Sequence, residues 1–287
     1  MSYQTLVTPE QLAAHIDDPQ WVVFDCRFTL TDLEAGHRSY LKEHIKGSHY
    51  ADLEKDLSSP VTPGSGRHPL PDPQQLAEKL SAWGVGKHSQ VVVYDDSFGA
   101  IACRLWWLLR WLGHRDVAFL DGGLPRWTRE GYGLSSSASD SNPARFEPRV
   151  DDTLWVTSQF VEQLSQSEQG ILIDARAEER FSGEREPLDK VAGHVPGAIN
   201  IPYDDNLAFN GQLLEAEELR EVYAVATDPK AAQDVVHMCG SGVTACHNIL
   251  AMELAGLKGS KLYVGSWSEW ITDKRRSIIS PTTSSPG

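Results

Sequence analysis

The sequence predicts a tandem pair of α/β domains, each a parallel sheet flanked by helices. Three observations carry that expectation. Short apolar, β-branched runs recur without polar alternation, as in Val91-Val92-Val93 and Val235-Val236. They alternate with helical stretches, the clearest being 102–112, closed by Gly113. The whole order of motifs then returns after roughly 150 residues. Continuous apolar strands separated by helices mean a sheet covered on both faces.

The elements repeat one by one. Val22-Val23-Phe24-Asp25-Cys26-Arg27 is answered by Ile171-Leu172-Ile173-Asp174-Ala175-Arg176. His44-Ile45-Lys46-Gly47-Ser48 is answered by His194-Val195-Pro196-Gly197-Ala198. The strand Val91-Val92-Val93-Tyr94-Asp95 aligns with Val235-Val236-His237-Met238-Cys239. Leu120-Asp121-Gly122-Gly123-Leu124-Pro125-Arg126-Trp127 aligns with Tyr263-Val264-Gly265-Ser266-Trp267-Ser268-Glu269-Trp270. Matches in one order define a duplicated domain, whereas a solenoid needs more and shorter repeats. The expected bounds are 1–135 and 153–276. Between them, 136–152 has the Ser/Pro composition of a linker, and 277–287 reads as a disordered tail. The two Asp-x-Arg pairs, at 25/27 and 174/176, are expected to brace strand ends.

At 287 residues, two domains can each build a core. A formal net charge of −14 argues against nucleic acid or an anionic membrane as partner, since both need a basic face. No apolar run approaches the ~20 residues of a spanning helix. The opening Met1-Ser2-Tyr3-Gln4 is not that of a signal peptide. The four cysteines lack zinc-type spacing and are too sparse for a disulfide scaffold. A cytoplasmic protein with no metal and no cofactor is expected.

The chemistry points to Cys239-Gly240-Ser241-Gly242-Val243-Thr244. A buried strand that stops at a Cys, turns through two glycines and enters a helix is a mount for a nucleophile. Backbone N–H groups would converge on the turn, and the helix N-terminus adds positive potential; both favour thiolate over thiol. The first copy carries Asp95-Asp96-Ser97-Phe98-Gly99 at the same place, so sulfur chemistry belongs to the second. The plainer alternative is a Gly-rich turn around an ordinary buried Cys.

With the repeated Asp-x-Arg, Gly193-His194-Val195-Pro196-Gly197-Ala198, the Cys loop and Gly265-Ser266-Trp267-Ser268-Glu269-Trp270, the chain resembles the two-domain rhodanese superfamily over nearly its whole length. The resemblance implies an inactive N-terminal copy and a C-terminal Cys that accepts sulfur as a persulfide. It implies a small-molecule sulfur donor and an acceptor that is cyanide or a thiol, such as a small thiol or a thioredoxin-like protein. A loop without basic residues after the Cys looks like the 3-mercaptopyruvate sulfurtransferases rather than the thiosulfate enzymes. A thiosulfate dianion wants a cation beside it, and neither Gly240 nor Ser241 is one.

By the same resemblance, Cys239 is the nucleophile and Ser241, His68 and Glu54 form a proton relay, with Asp52 as the other candidate acid. His68 lies on a loop of the first copy, and a solvated loop His is the alternative reading. Gly240, Gly242, Val243 and Thr244 build the loop around the sulfur. Arg180 is the expected carboxylate clamp. The second Arg that usually follows a Glu-Pro pair is missing after Glu186-Pro187, so Arg185 or Lys190 substitutes, or both pair with neighbouring acids. Cys246 is read as a packed helix residue. Phosphatase and arsenate-reductase Cys loops need an Arg six residues after the Cys, where this chain has Ala245. A persulfide carrier without catalysis is the remaining alternative.

Overall fold

The structure is a computed structural model and describes residues 2–139, 142–167, 170–228 and 230–281. The first sheet contains β1 (Leu6–Val7), β2 (Trp21–Asp25), β3 (His49–Tyr50), β4 (Gln90–Tyr94) and β5 (Val117–Leu120), in the order β1-β5-β4-β2-β3. The second contains β6 (Trp155–Val156), β7 (Ile171–Asp174), β8 (Ile199–Asn200), β9 (Val235–Met238) and β10 (Lys261–Tyr263), in the order β6-β10-β9-β7-β8. Every pairing is parallel. Strand for strand, the order is the same, which is the duplication expressed as topology.

The cores repeat as well. Val23, Ile45, Val92, Tyr94, Leu120 and Trp127 pack together in the first unit. Leu172, Val195, Val236, Met238, Tyr263 and Trp270 hold the aligned positions in the second. The central strands β4 and β9 are buried along their full length, which explains their unbroken apolar reading. Both Asp-x-Arg pairs close on themselves at the ends of β2 and β7, with N···O distances of 2.6 Å. Trp106, Trp107 and Trp111 are buried in the helix Ala102–Trp111, as packing rather than as an exposed platform. Among the described residues, no helix is long and apolar enough to cross a membrane.

The domain bounds differ from those expected. The chain divides into one unit of Met1–Ser59, Leu70–Asp152 and Phe209–Leu213, and a second of Pro60–Pro69, Thr153–Ala208 and Leu214–Gly287. The 60–69 loop, expected in the first copy, therefore belongs to the second unit. Its attachment is specific: Arg67 N–H donates to Ser268 Oγ at 3.0 Å, and Arg67 forms an ion pair with Asp189. The described part of the linker is laid along the first unit by backbone bonds such as Ala144 N–H to Ser81 O and Arg149 N–H to Leu112 O. The tail is placed through 281, because Ile279 and His194 exchange both backbone hydrogen bonds, so 277–281 are not loose chain. The rest of that expected tail, 282–287, lies outside the described residues.

Candidate functional site

β9 ends at Met238 and delivers Cys239, 2% exposed, into the turn that precedes the helix Ala245–Leu254. The turn is clamped at its base. Cys239 N–H donates to Ser266 Oγ at 3.1 Å, and Ser266 O–H donates to the Tyr263 carbonyl at 2.8 Å. Trp267 and Ser268 N–H groups donate to the carbonyls of Cys239 and Gly240 at 3.0 and 2.9 Å. Ser266 adopts φ +52°, a conformation that costs a non-glycine residue energy and is retained here by its two hydroxyl bonds.

Within the turn, Gly242 N–H donates to Cys239 Sγ at 3.2 Å. Gly242 has φ +76°, and a Cβ there would lie 2.3 Å from the Val264 carbonyl oxygen, so this position accepts no side chain. Val243 and Thr244 start the helix: their carbonyls accept from the N–H groups of Cys246 and His247 at 3.1 and 3.0 Å. The Cys246 thiol donates to Gly242 O at 3.4 Å and packs in the helix. The Cys sulfur thus accepts from a backbone N–H of the turn that leads into the N-terminus of the helix.

Two sets of side chains converge on this turn. Ser241 Oγ and His68 Nδ1 share a 2.7 Å hydrogen bond, and the two residues are 7% and 3% exposed. His68 is therefore no solvated loop residue. At Gly240, a Cβ would lie 2.9 Å from Arg67 Nη2 and 3.3 and 3.5 Å from Arg180 Nη2 and Nη1. Glycine at 240 is what lets both guanidiniums reach the mouth of the loop. Arg180 Nε donates to Glu186 at 3.1 Å, and its Nη2 donates to Asp189 Oδ2 at 3.1 Å; Arg67 pairs with the other oxygen of Asp189. Burial pushes the Asp189 carboxyl above its usual range against the pull of Arg67 and Arg180. Burial acts the same way on Glu186, but Arg180 and the N–H groups of Leu188 and Asp189 outweigh it and hold that carboxyl low.

Several expectations need correction. Arg185 is 72% exposed and faces Glu179 at 3.7 Å, while Lys190 is exposed; neither is the second cation at the loop. Arg67 occupies that place. The Cys loop is itself neutral, yet its mouth is lined by two cations from other segments. Asp52 is committed to its own turn, accepting from the N–H groups of Glu54 and Lys55 at 2.9 and 3.0 Å. Glu54 is half-buried in that same turn of the first unit. Residues that sequence reasoning passed over are Arg67, Glu186, Asp189 and Ser266. Arg67 directly precedes His68, and that adjacency was the available signal.

The comparisons with known proteins agree with this geometry. The rhodanese-like domain family matches residues 8–130 and 157–273. A Pseudomonas aeruginosa protein named as a probable 3-mercaptopyruvate sulfurtransferase is 50% identical across 97% of this chain and 99% of that protein. A thiosulfate sulfurtransferase of Cricetulus griseus is 34% identical across 93% of this chain and 92% of its own. The solved structure of a 3-mercaptopyruvate sulfurtransferase from Leishmania major is 32% identical, with a TM-score of 0.84 over 96% of this chain and 76% of that one. The repeated sheets, the Cys turn and these matches together place the chain in the rhodanese family, in the tandem two-domain form of the sulfurtransferases.

Proposed function

We propose that the protein takes sulfane sulfur from 3-mercaptopyruvate onto Cys239 and passes it to a thiol, releasing pyruvate. The observation that carries the reading is the setting of Cys239: a buried sulfur that accepts from the Gly242 N–H, with Ser241–His68 on one side and two guanidiniums at the mouth.

In the first half-reaction the Cys239 thiolate attacks the donor sulfur. The sulfur–carbon bond breaks, and its electron pair leaves with the pyruvate enolate. The proton carried by the donor thiol ends on the enolate carbon, giving pyruvate and the Cys239 persulfide anion. Ser241 and His68 are the pair suited to move that proton, since a serine hydroxyl and an imidazole at 2.7 Å form a continuous path. The Gly242 N–H and the helix N-terminus stabilise the anionic persulfide, as fixed dipoles hold developing charge. In the second half, an acceptor thiolate attacks the outer sulfur, and Cys239 leaves as thiolate. Arg180 supplies a fork to the donor carboxylate. The four free cysteines suit a reducing compartment, and the cytoplasm is the proposed location.

One observation favours a second donor. Thiosulfate needs cations near the loop, and Arg67 and Arg180 are there. Steady-state transfer from each donor, with wild type and Cys239→Ser, decides. Faster turnover with the keto acid and none with Cys239→Ser is the expected result; faster turnover with thiosulfate would overturn the donor assignment. A Cys239→Ser enzyme that still transfers sulfur would overturn the mechanism.

A further inference from the structure

We propose that the first copy carries a binding site for a small polyanion, a molecule with two or more phosphate or carboxylate groups. The site is the cavity that residues 145–149 build against Lys87 and the 113–116 segment. It lies wholly within the first unit and is independent of the donor assignment.

Backbone contacts fix the walls. The linker runs back along the first unit: Phe146 N–H donates to Ser81 Oγ at 3.0 Å, and Arg149 N–H to the Leu112 carbonyl at 2.8 Å. Gly113 has φ +84°, and a Cβ there would lie 2.9 Å from both Cβ and O of Arg149, so glycine lets the two segments close. Phe146 is buried against the His114 ring, whose Nε2 donates to the Ser89 carbonyl at 3.0 Å. The space left between them is about 460 Å3. Small-molecule sites span about 300–1,000 Å3.

Charge defines the occupant. The lining carries Lys87, Arg115, Arg145 and Arg149 against Asp116 and Glu147, in a chain whose formal net charge is −14. Arg145 is matched by Glu147 at 2.7 Å. Among the described residues, Lys87, Arg115 and Arg149 have no carboxylate within ion-pair distance. Burial holds the His114 pKa below its usual value against the pull of Asp116, so that ring is neutral at neutral pH.

These cations stand beyond the C-terminal end of the helix Ala102–Trp111, where basic side chains often satisfy the last carbonyls. That need is already met. The carbonyls of Leu109, Arg110, Trp111 and Leu112 accept from the backbone N–H groups of His114, Gly113, Asp151 and Arg149. The guanidiniums of Arg115 and Arg149 are therefore not helix caps. Arg takes a phosphate or carboxylate with a two-pronged fork, and Lys adds a point charge. A nucleic-acid chain would be repelled by the acidic remainder of the surface, whereas a compact polyanion meets only the cavity.

The probes are tripolyphosphate and citrate, titrated calorimetrically into wild type at low and at physiological salt. At least one should bind at one site per chain and weaken as salt rises. The tighter of the two distinguishes a phosphate ligand from a carboxylate one. Arg115→Gln/Arg149→Gln should weaken that binding by about 10- to 100-fold. Lys87→Gln, on a different segment, should weaken it by about 3- to 10-fold and keeps the test intact if the double change loosens the linker. Both variants should transfer sulfur at the wild-type rate. Lys42→Gln/Lys258→Gln removes two charges elsewhere and should bind within about twofold of wild type. Arg180→Gln, at the Cys239 loop, should also bind as wild type does. Failure of both probes to bind would overturn the proposal, as would an equal loss in the Lys42/Lys258 control. Binding lost in Arg180→Gln but kept without Arg115 and Arg149 would overturn it too, by placing the anion at the Cys239 loop.

Discussion

The turn after β4 and the turn after β9 stand at the same place in two copies of one sheet, and they treat their backbone N–H groups in opposite ways. In the first copy Asp95 folds its carboxylate into its own loop. One oxygen accepts from Ser97 and Gly99 N–H at 3.0 and 2.8 Å, the other from Ile101 and Ala102 N–H at 2.9 and 2.8 Å. In the second, Cys239 Sγ accepts from Gly242 at 3.2 Å. Both turns are tied down from the following strand–helix junction: Leu124 N–H donates to Asp95 O, and Trp267 N–H donates to Cys239 O. One frame thus holds either a built-in anion or a sulfur able to become one. The first turn has residues 96–101 before its helix and the second has 240–244, so the plugged loop is one residue longer. The inactivity expected of the first copy has two physical grounds here, an occupied anion cradle and a missing thiol.

The largest effect should come from copying the plug. Cys239→Asp is expected to abolish sulfur transfer from either donor and to form no persulfide detectable by mass spectrometry, while the protein stays folded by circular dichroism. A carboxylate cannot accept sulfur, and it would claim the N–H groups that the persulfide needs. Residual transfer above the level of Cys239→Ser would break the comparison.

The reverse change empties the first cradle. Asp95 is fully buried, and burial pushes its carboxyl above the usual range against the pull of its four donors. Asp95→Ala removes an acceptor shared by all four, two of them in wholly buried bonds, and should cost about 3–5 kcal/mol in urea unfolding. Asp95→Asn keeps an oxygen and should cost less. If the cradle is truly an anion site, sulfate will raise the midpoint of Asp95→Ala more than that of wild type. Equal sulfate effects would mean that the loop collapses and the comparison between the two turns is only formal.

Much of this was legible in the amino-acid sequence because it is local. Unbroken Val runs announce doubly covered strands, and a Cys followed by two glycines before a helix announces a nucleophile turn. What escaped is what the chain assembles from a distance. Arg185 and Lys190 are near the expected clamp in sequence, but Arg67 reaches it in space because the 60–69 loop folds with the second unit. The Ser/Pro tail reads as disorder by composition, yet Ile279 completes a bridge to His194 that no local pattern encodes. Ser266 looks like an ordinary turn residue, and only its left-handed backbone and bond to Cys239 N–H reveal it as the base of the loop.

The smallest effect contrasts the strands that feed the turns. Val93 on β4 aligns with His237 on β9, and His237 is fully buried, with Nε2 3.1 Å from Met252 Sδ and Nδ1 without a partner among the described residues. Burial lowers its pKa to about 3. The folded ring therefore stays neutral at pH values where an unfolded His, with a pKa near 6.5, takes a proton. The sign follows: stability from this group is complete above about pH 6.5 and is lost as pH falls toward the folded pKa, at about 1.4 kcal/mol per pH unit. His237→Val gives β9 the residue of β4 and removes that proton from the balance. Between pH 6 and pH 4 the variant should lose stability less steeply than wild type, by about one proton in the slope of unfolding free energy against pH. The comparison is made on slopes because the lost ring volume also lowers stability at every pH. Parallel pH curves for the two proteins would mean that His237 is protonated in the folded state, and that β9 is wetter around its His than β4 is around Val93.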